Sequence, residues 1–330
     1  MLQNQEYQWP LVSVITPTYN RADYLKEALA SAVKQTYKNI EIIVSDNCSI
    51  DNTEDIVTSF TDPRIRYWKQ PENIGMFANQ MHAFKMARGK YVASLHDDDI
   101  WNEDFLEKLV PLLEENSDLV LAFCDHYIIN SQSQIDNDAT KINTLAYKRN
   151  QYTPGVHKPF YEIGLVNKSI GTACAAVIRN NPEYWDKMPQ EVGGMWDLYL
   201  TYLCSITGGG AYYYPHKLTK YREHPQTDTM QSGSRNVKAK IRKAKNEIFC
   251  YQKFMEDERL KQWKPYFKEK WLEANTTLGI GLLRNEQTAQ ARSYLWQALN
   301  QQKFNLRTFT ALTVSFVPQM IAHRLLGAAK

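Results

Sequence analysis

The sequence predicts a doubly wound α/β domain with a helical region behind it, on three observations. Short β-branched runs alternate with segments of helical apolar spacing from residue 11 to about residue 125, the order that builds a parallel sheet. The polar clusters of that stretch fall where strands end, which is where open α/β sheets bind ligands. After Arg235 the composition shifts to long helical runs. The expected division is a sheet domain over 1–235 and a helical region over 236–330.

Leu11–Thr16 (LVSVIT) reads as the first strand, and Leu25, Ala28, Leu29, Ala32 and Val33 mark the apolar face of a helix. Ile40–Ser45 is a second buried strand, Ser49–Phe60 an acid-led helix, and Ile65–Lys69 a third strand. A helix over Met76–Ala87, stopped by Gly89, leads to a fourth strand, Tyr91–Leu95. A helix over Asp104–Glu115 and a strand over Leu119–Phe123 follow. Residues 126–160 are polar with little periodicity and read as a loop or hairpin excursion, while Thr172–Ile178 reads again as a strand. Trp196–Ile206 looks helical, the glycines at 208–210 break it, and Ala211–Tyr214 and Leu218–Tyr221 look like two short strands.

A balance of 43% hydrophobic and 23% charged residues is that of a folded protein, not a disordered one. The net charge of +3 is too small to suggest a polyanion partner by itself. Cysteines at 48, 124, 174, 204 and 250 form no CxxC pair, so neither a disulfide framework nor a zinc site is indicated and a reducing cytoplasm fits. The polar N-terminus lacks a signal-peptide pattern, and no apolar stretch reaches the ~18–20 residues that cross a bilayer.

Three consecutive aspartates, Asp97, Asp98 and Asp99, follow the fourth strand. Like charges so close raise one another's pKa unless a cation intervenes. A divalent metal removes that cost, and Mg2+ or Mn2+ in phosphate-transfer sites is held by one or two carboxylates plus substrate oxygens. On an extended segment Asp97 and Asp99 share one face, and His96 and Asp98 the other. The plain alternative is a solvated acidic turn or a cap for the next helix.

Pro17-Thr18-Tyr19-Asn20 after the first strand, Ser45-Asp46-Asn47-Cys48-Ser49-Ile50-Asp51 after the second, Asn73-Ile74-Gly75, and His96-Asp97-Asp98-Asp99-Ile100-Trp101 after the fourth resemble family 2 glycosyltransferases of the GT-A fold. Order and spacing agree over about residues 10–225, and the joint occurrence is more specific than any single motif. The resemblance implies a mixed α/β sheet of GT-A type and an inverting enzyme that takes a sugar from a nucleotide diphosphate donor, using Mn2+ or Mg2+. Pro17, Thr18 and Tyr19 would line the base and ribose pocket, and Asp46 would accept from the base's imide N–H. A tyrosine face suits a pyrimidine, although a half-buried aromatic and an Asx-turn are the ordinary readings of Tyr19 and Asp46. Asn73 and Gly75 would let the backbone pass close to the donor. His96 stands where the family usually carries the first acid of Asp-x-Asp, which shifts the roles by one residue. Asp98 becomes the expected metal ligand, with Asp97 on ribose or donor sugar and Asp99 behind the ligand or on the sugar.

An inverting transferase needs a base to take the acceptor hydroxyl's proton. Asp197, after Gly193-Gly194-Met195-Trp196, stands where the family carries that acid at a helix start. The family's Glu-Asp pair is Trp196-Asp197 here, and Glu191 is the other acid of the loop. Trp196 either stacks on an acceptor sugar or fills the core. Tyr221-Arg222-Glu223-His224-Pro225 resembles the family's late Arg-x-His element, which sets Arg222 near the diphosphate and His224 on the metal. Cations there stabilise the charge that grows on the leaving diphosphate.

Basic and apolar residues interleave over Lys238–Lys253, Leu306–Leu326 is apolar and aromatic, and Leu278–Leu299 resembles one tetratricopeptide-type hairpin. These helices either pack on one another or lie against anionic lipid at the inner face of the membrane. The implied partners are a nucleotide sugar, with UDP ahead of dTDP and GDP, and a glycan or lipid-linked acceptor; nucleic acid is not implied. A sugar-nucleotide nucleotidyltransferase needs a Gly-rich basic loop after the first strand, which Pro17–Arg21 is not. A non-catalytic carbohydrate-binding or scaffold protein on the same fold is the other alternative.

Overall fold

The computed structural model describes residues 9–225, 227, 236–301 and 305–318. It divides into two units: the described residues within Met1–Met188 and Leu200–Arg222, and those within Pro189–Tyr199 and Glu223–Lys330. The expected division at 235/236 differs from this, because the loop carrying Gly193 and Gly194 packs with the later helices.

The first unit contains strands β1 (Val12–Thr18), β2 (Ile40–Asp46), β3 (Ile65–Lys69), β4 (Tyr91–Ser94), β5 (Ile100–Trp101), β6 (Leu119–Ile129), β7 (Ile135–Asp136), β8 (Gly155–His157), β9 (Ala176–Arg179) and β10 (Gly210–Arg222). Helices α1 (Ala22–Val33), α2 (Thr53–Ser59), α3 (Met76–Lys85), α4 (Phe105–Glu115), α5 (Asn137–Ala146) and α6 (Pro182–Asp186) connect them. α7 (Trp196–Ser205) follows. The sheet runs β3-β2-β1-β4-β9-β6-β10-β5, with β7 paired to β6 and β8 to β10. Its β3-β2-β1-β4 half is parallel, and β9 runs antiparallel to both β4 and β6. This is a mixed sheet of GT-A type.

Periodicity explains the parallel half. Val12, Val14, Ile42 and Val44 pack in one core with Leu25, Ala28, Leu29 and Ala32, all on the expected face of α1. Burying each such leucine contributes roughly 1.5–3 kcal/mol. Pro111 is accommodated inside α4. The helix expected over Ser49–Phe60 is shorter, because Ser49 and Ile50 are taken by side-chain bonds from Asp46 and Asn20 before α2 begins.

Two expectations are corrected. Residues 126–160 hold more than the expected loop or hairpin: β6 continues to Ile129 and pairs antiparallel with β7, and a helix not expected, α5, then begins at its Asp136 cap, whose Oδ1 accepts from Ala139 N–H at 2.9 Å. The two short strands after the glycines are one strand, β10, bulged between Tyr214 and Thr219.

Asp125 anchors the excursion. Buried on β6, it accepts from Arg149 Nε at 2.6 Å, Lys217 Nζ at 2.8 Å and Thr144 Oγ1 at 2.9 Å. Its neighbour His126 is pushed down to about 3 by burial and by the Arg149 charge. A histidine that is neutral when folded and protonates near 6.5 when unfolded loses stability as pH falls below ~6.5. The expected slope reaches up to ~1.4 kcal/mol per pH unit from this one group. Chemical denaturation between pH 7 and 5 is expected to show it, with a shallower slope in His126→Gln; equal slopes would exclude His126 as the cause.

The second unit contains α8 (Val237–Glu256), α9 (Lys264–Arg284), α10 (Thr288–Asn300) and α11 (Leu306–Val314). Ala244, Leu278, Leu282, Leu295 and Leu312 form its core, and the α9–α10 hairpin lies where the sequence expects one. The apolar stretch expected to Leu326 lies from residue 319 onward outside the described residues. Among the described residues no helix is long and apolar enough to cross a membrane.

Candidate active site

Parallel register brings three strand ends to one edge. Thr18 on β1 pairs with Asp46 on β2, and β4, on the other side of β1, runs out into His96–Asp99. The connecting loops are stitched by short polar side chains. Asn20, at φ +52°, donates its backbone N–H to Ser49 Oγ at 2.8 Å and accepts from Ile50 N–H at 2.9 Å. Asp51 accepts from Ala22 N–H at 3.1 Å and from Thr53 Oγ1 at 2.6 Å. Asn47 accepts from Ile74 N–H at 2.9 Å and donates to Asn73 Oδ1 at 3.0 Å, and the same Asn73 oxygen accepts from Gly75 N–H at 2.9 Å.

Tyr19 stands 43% exposed at this edge, so its ring face is open to a ligand. Asp46 is fully buried: Oδ1 accepts from Ser49 N–H at 2.8 Å and Oδ2 from the Tyr67 hydroxyl at 2.7 Å. A carboxylate has about four lone-pair positions, so one on each oxygen remains. Gly75 adopts φ +88°, and a Cβ there would meet nothing within 4 Å. The left-handed conformation, not close packing, explains that glycine.

The acidic segment departs from the expected alternation. β4 ends at Ser94 and Asp97–Asp98 form a turn in which Asp99 N–H donates to His96 O at 3.2 Å. The turn brings Asp98 and Asp99 together: one ligand atom each from His96, Asp98 and Asp99 lies within 4.8 Å of the others. Asp99 is 1% exposed, and among the described residues its Oδ2 has no hydrogen-bond partner. Burial and the Asp98 charge raise Asp99 well above the usual carboxylate range and push Asp97 up to about 6. Two carboxylates, one of them with an unsatisfied buried oxygen, and an imidazole make a donor set that fits a hard or borderline divalent cation such as Mg2+ or Mn2+.

Arg21 was not among the expected site residues. Its Nη1 donates to Asp97 Oδ1 at 3.1 Å and to Asp98 Oδ2 at 2.8 Å. The signal was present in the sequence: three adjoining acids require a counter-charge, and Arg21 closes the motif that follows the neighbouring strand β1. A guanidinium on two carboxylates competes with a metal for them. In nucleotide-free protein Arg21→Gln is therefore expected to tighten Mn2+ binding by roughly tenfold, the equivalent of losing one charge-assisted bond. Calorimetry with Mn2+ alone checks this, and unchanged affinity would show that Arg21 does not compete.

Arg222 also departs from expectation. It is fully buried; its backbone N–H donates to Asp99 Oδ1 at 2.9 Å and Nε to the Asp98 carbonyl at 2.7 Å. Nη1 reaches Ser133 Oγ at 2.8 Å, Nη2 reaches Glu27 Oε2 at 3.0 Å, and the guanidinium lies 4.7 Å from the Tyr24 ring centroid. With its donors so engaged, the buried Arg222 ties the acidic turn to Ser133 and Glu27.

The remaining candidates lie in the second unit. Asp197 is half-buried in the first turn of α7, and its Oδ1 accepts from Leu198 N–H at 2.7 Å. Trp196 is buried, which resolves its two readings in favour of core packing. Gly193 has φ +44° and ψ −121°, and a Cβ on it would come within 2.7 Å of the Asn246 side chain on α8. Asn246 donates to the Glu191 carbonyl at 2.7 Å and accepts from Gly194 N–H at 3.3 Å. His224 is buried, and its carbonyl accepts from Thr227 N–H at 3.0 Å.

Residues 13–166, which include the three strand ends and the acidic turn, match the family described as Glycosyl transferase family 2. Over that stretch the chain is similar to family 2 glycosyltransferases. TuaG of Bacillus subtilis (strain 168), named for teichuronic acid biosynthesis, is 41% identical over 110 residues, covering 33% of this chain and 44% of TuaG. WfgD of Escherichia coli, a UDP-Glc:alpha-D-GlcNAc-diphosphoundecaprenol beta-1,3-glucosyltransferase, is 35% identical over 123 residues, 37% of this chain and 48% of WfgD. The matched region thus spans less than half the length of either relative. The GT-A fold extends further: the mannosyltransferase PcManGT of Pyrobaculum calidifontis, solved with GDP-Man and Mn2+, superposes over 97% of this chain and 87% of its own at TM-score 0.55 and 18% identity. TarS 1–349 of S. aureus, solved with UDP, covers 92% and 89% at TM-score 0.54 and 16% identity. Asp197, Arg222 and His224 lie beyond the family 2 match.

Proposed function

We propose that the protein is an inverting, metal-dependent glycosyltransferase that moves a sugar from a UDP-sugar to a hydroxyl of a glycan or lipid-linked acceptor in cell-surface polysaccharide synthesis. The observation that carries this reading is the turn that gathers His96, Asp98 and Asp99 beside the ends of β1 and β2, leaving Asp99 Oδ2 buried without a partner. UDP-linked chemistry in WfgD and the UDP complex of TarS support the choice of nucleotide.

Pro17, Thr18 and Tyr19 bound the base and ribose, with the exposed Tyr19 ring supplying the stacking face. The open lone pairs of Asp46 accept the imide N–H, while its bonds to Ser49 and Tyr67 fix the carboxylate. Asn73 and Gly75 hold the loop against the β2 end through Asn47. Asp98 binds the metal with His96 and Asp99, Asp97 holds ribose or donor sugar, and Arg222 keeps the turn in shape. A cation held by these residues would offset the charge that grows on the diphosphate as the bond breaks. Asp197 takes the proton of the acceptor hydroxyl as its oxygen bonds to the anomeric carbon and the bond to the diphosphate breaks. His224 is a further ligand in this reading. The enzyme works in the cytoplasm, at or near the inner face of the membrane.

Donor hydrolysis and transfer assayed across UDP-, dTDP- and GDP-sugars test the proposal. Turnover of a UDP-sugar that EDTA abolishes and Mn2+ restores is the expected result. No turnover of any nucleotide sugar with metal present, in protein that binds UDP, would point to a non-catalytic binding protein.

A further inference from the structure

Residues 223–330 hold 18 basic and 9 acidic residues, whereas the first 222 hold 21 and 27. The near-neutral total thus conceals a strongly basic C-terminal portion. Within the second unit this charge converges. A cleft of about 240 Å³ is lined by Lys240 and Lys243 of α8, Arg284 of α9 and Arg307 of α11, with Glu247 as its one carboxylate. Lys240 and Lys243, three apart, share a helix face. Arg307 donates to Thr277 Oγ1 at 3.2 Å, which holds it at the rim.

The placement suits an anion. Lys240 and Arg307 lie near the starts of α8 and α11, the positive ends of the helix dipoles, and neither helix has an acid in its first turn. Among the described residues no carboxylate pairs with Lys240, Lys243 or Arg307. Lys240 and Lys243 from one helix and Arg307 from another bring like charges to one cleft, and a bound dianion offsets their repulsion. The helices are not free to splay, because Ala244, Leu278, Leu282 and Leu312 lock them into one core. Size narrows the occupant: the cleft falls short of the ~300–1,000 Å³ that encloses a drug-sized molecule, and suits a compact multivalent anion.

We propose that this cleft is a binding site for a phosphoryl or diphosphoryl group, distinct from the donor site and standing whether or not the donor-site reading holds. Lys240, Lys243 and Arg307 supply the charge-assisted bonds, and the group belongs either to a lipid headgroup or to a soluble phosphate.

The test uses the full chain in EDTA, titrated with inorganic pyrophosphate in a calorimeter, and co-sedimentation with phosphatidylglycerol vesicles at low salt. Lys240→Gln/Lys243→Gln and Arg307→Gln are the variants, with UDP affinity in Mn2+ as the control for the fold and the donor site. Expected are saturable pyrophosphate binding, at least ~10-fold weaker in the double variant, and unchanged UDP affinity. Vesicle binding that pyrophosphate displaces assigns the group to a lipid headgroup; pyrophosphate binding without vesicle binding assigns it to a soluble phosphate. No binding of either probe, or equal binding by the variants, overturns the proposal.

Discussion

Asp197→Asn is expected to lower sugar transfer by ~10²- to 10⁴-fold, the usual cost of removing a general base, while leaving UDP affinity and folding unchanged. The asparagine keeps the side-chain oxygen that accepts Leu198 N–H, so the first turn of α7 retains that bond while the proton acceptor is lost. Glu191 is the control. It is exposed on the same loop, and its backbone is tied to α8 by Asn246. Steady-state transfer assays on Asp197→Asn and Glu191→Gln, each with UDP binding measured, separate the outcomes. Near wild-type transfer by Asp197→Asn with a dead Glu191→Gln moves the base to Glu191; activity in both places it outside the loop.

Asp98→Asn is expected to remove the part of UDP affinity that depends on Mn2+. An amide is a poor ligand for a hard cation, and because loss of groups behind a metal ligand alone costs roughly 10- to 100-fold in affinity, loss of the ligand is expected to cost at least as much. Arg21 sharpens the reading, because its 2.8 Å bond to Asp98 Oδ2 weakens in the same variant and leaves its charge freer for a diphosphate. UDP binding without metal is therefore expected to hold or to strengthen slightly. Calorimetric titrations of UDP with and without Mn2+ decide it: a variant that keeps the full metal-dependent gain would exclude Asp98 as a ligand.

The parallel half of the sheet was legible because its strands are continuous apolar runs and its helices keep a clean 3.6-residue face, as in Val12–Val14 against Leu25–Ala32. α5 was not, since only Thr140 of its ten residues is buried, and its apolar Ile142 and Leu145 stand exposed among polar neighbours instead of marking a core face. β10 reads as two strands because a bulge around Pro215 interrupts the alternation without ending the pairing. At the site, the motifs located the strand ends, but strand alternation misplaced Asp98 relative to Asp99 because the chain turns there. Arg21 and Arg222 act through partners 76 or more positions away in sequence, and such pairings leave no local pattern.

The Asn246 clasp bears on where this protein can be cut or recombined. A truncation ending with the sheet, or a chimaera that borrows its last hundred residues from a relative, would discard the side chain that presses on Gly193 and holds the Glu191 and Gly194 backbone. The segment bearing Asp197 would then be released even though none of its own residues had changed. Inheritance of the glycine loop and of α8 is thus a single event: a swap that hopes to keep the loop's geometry must carry Asn246 with it.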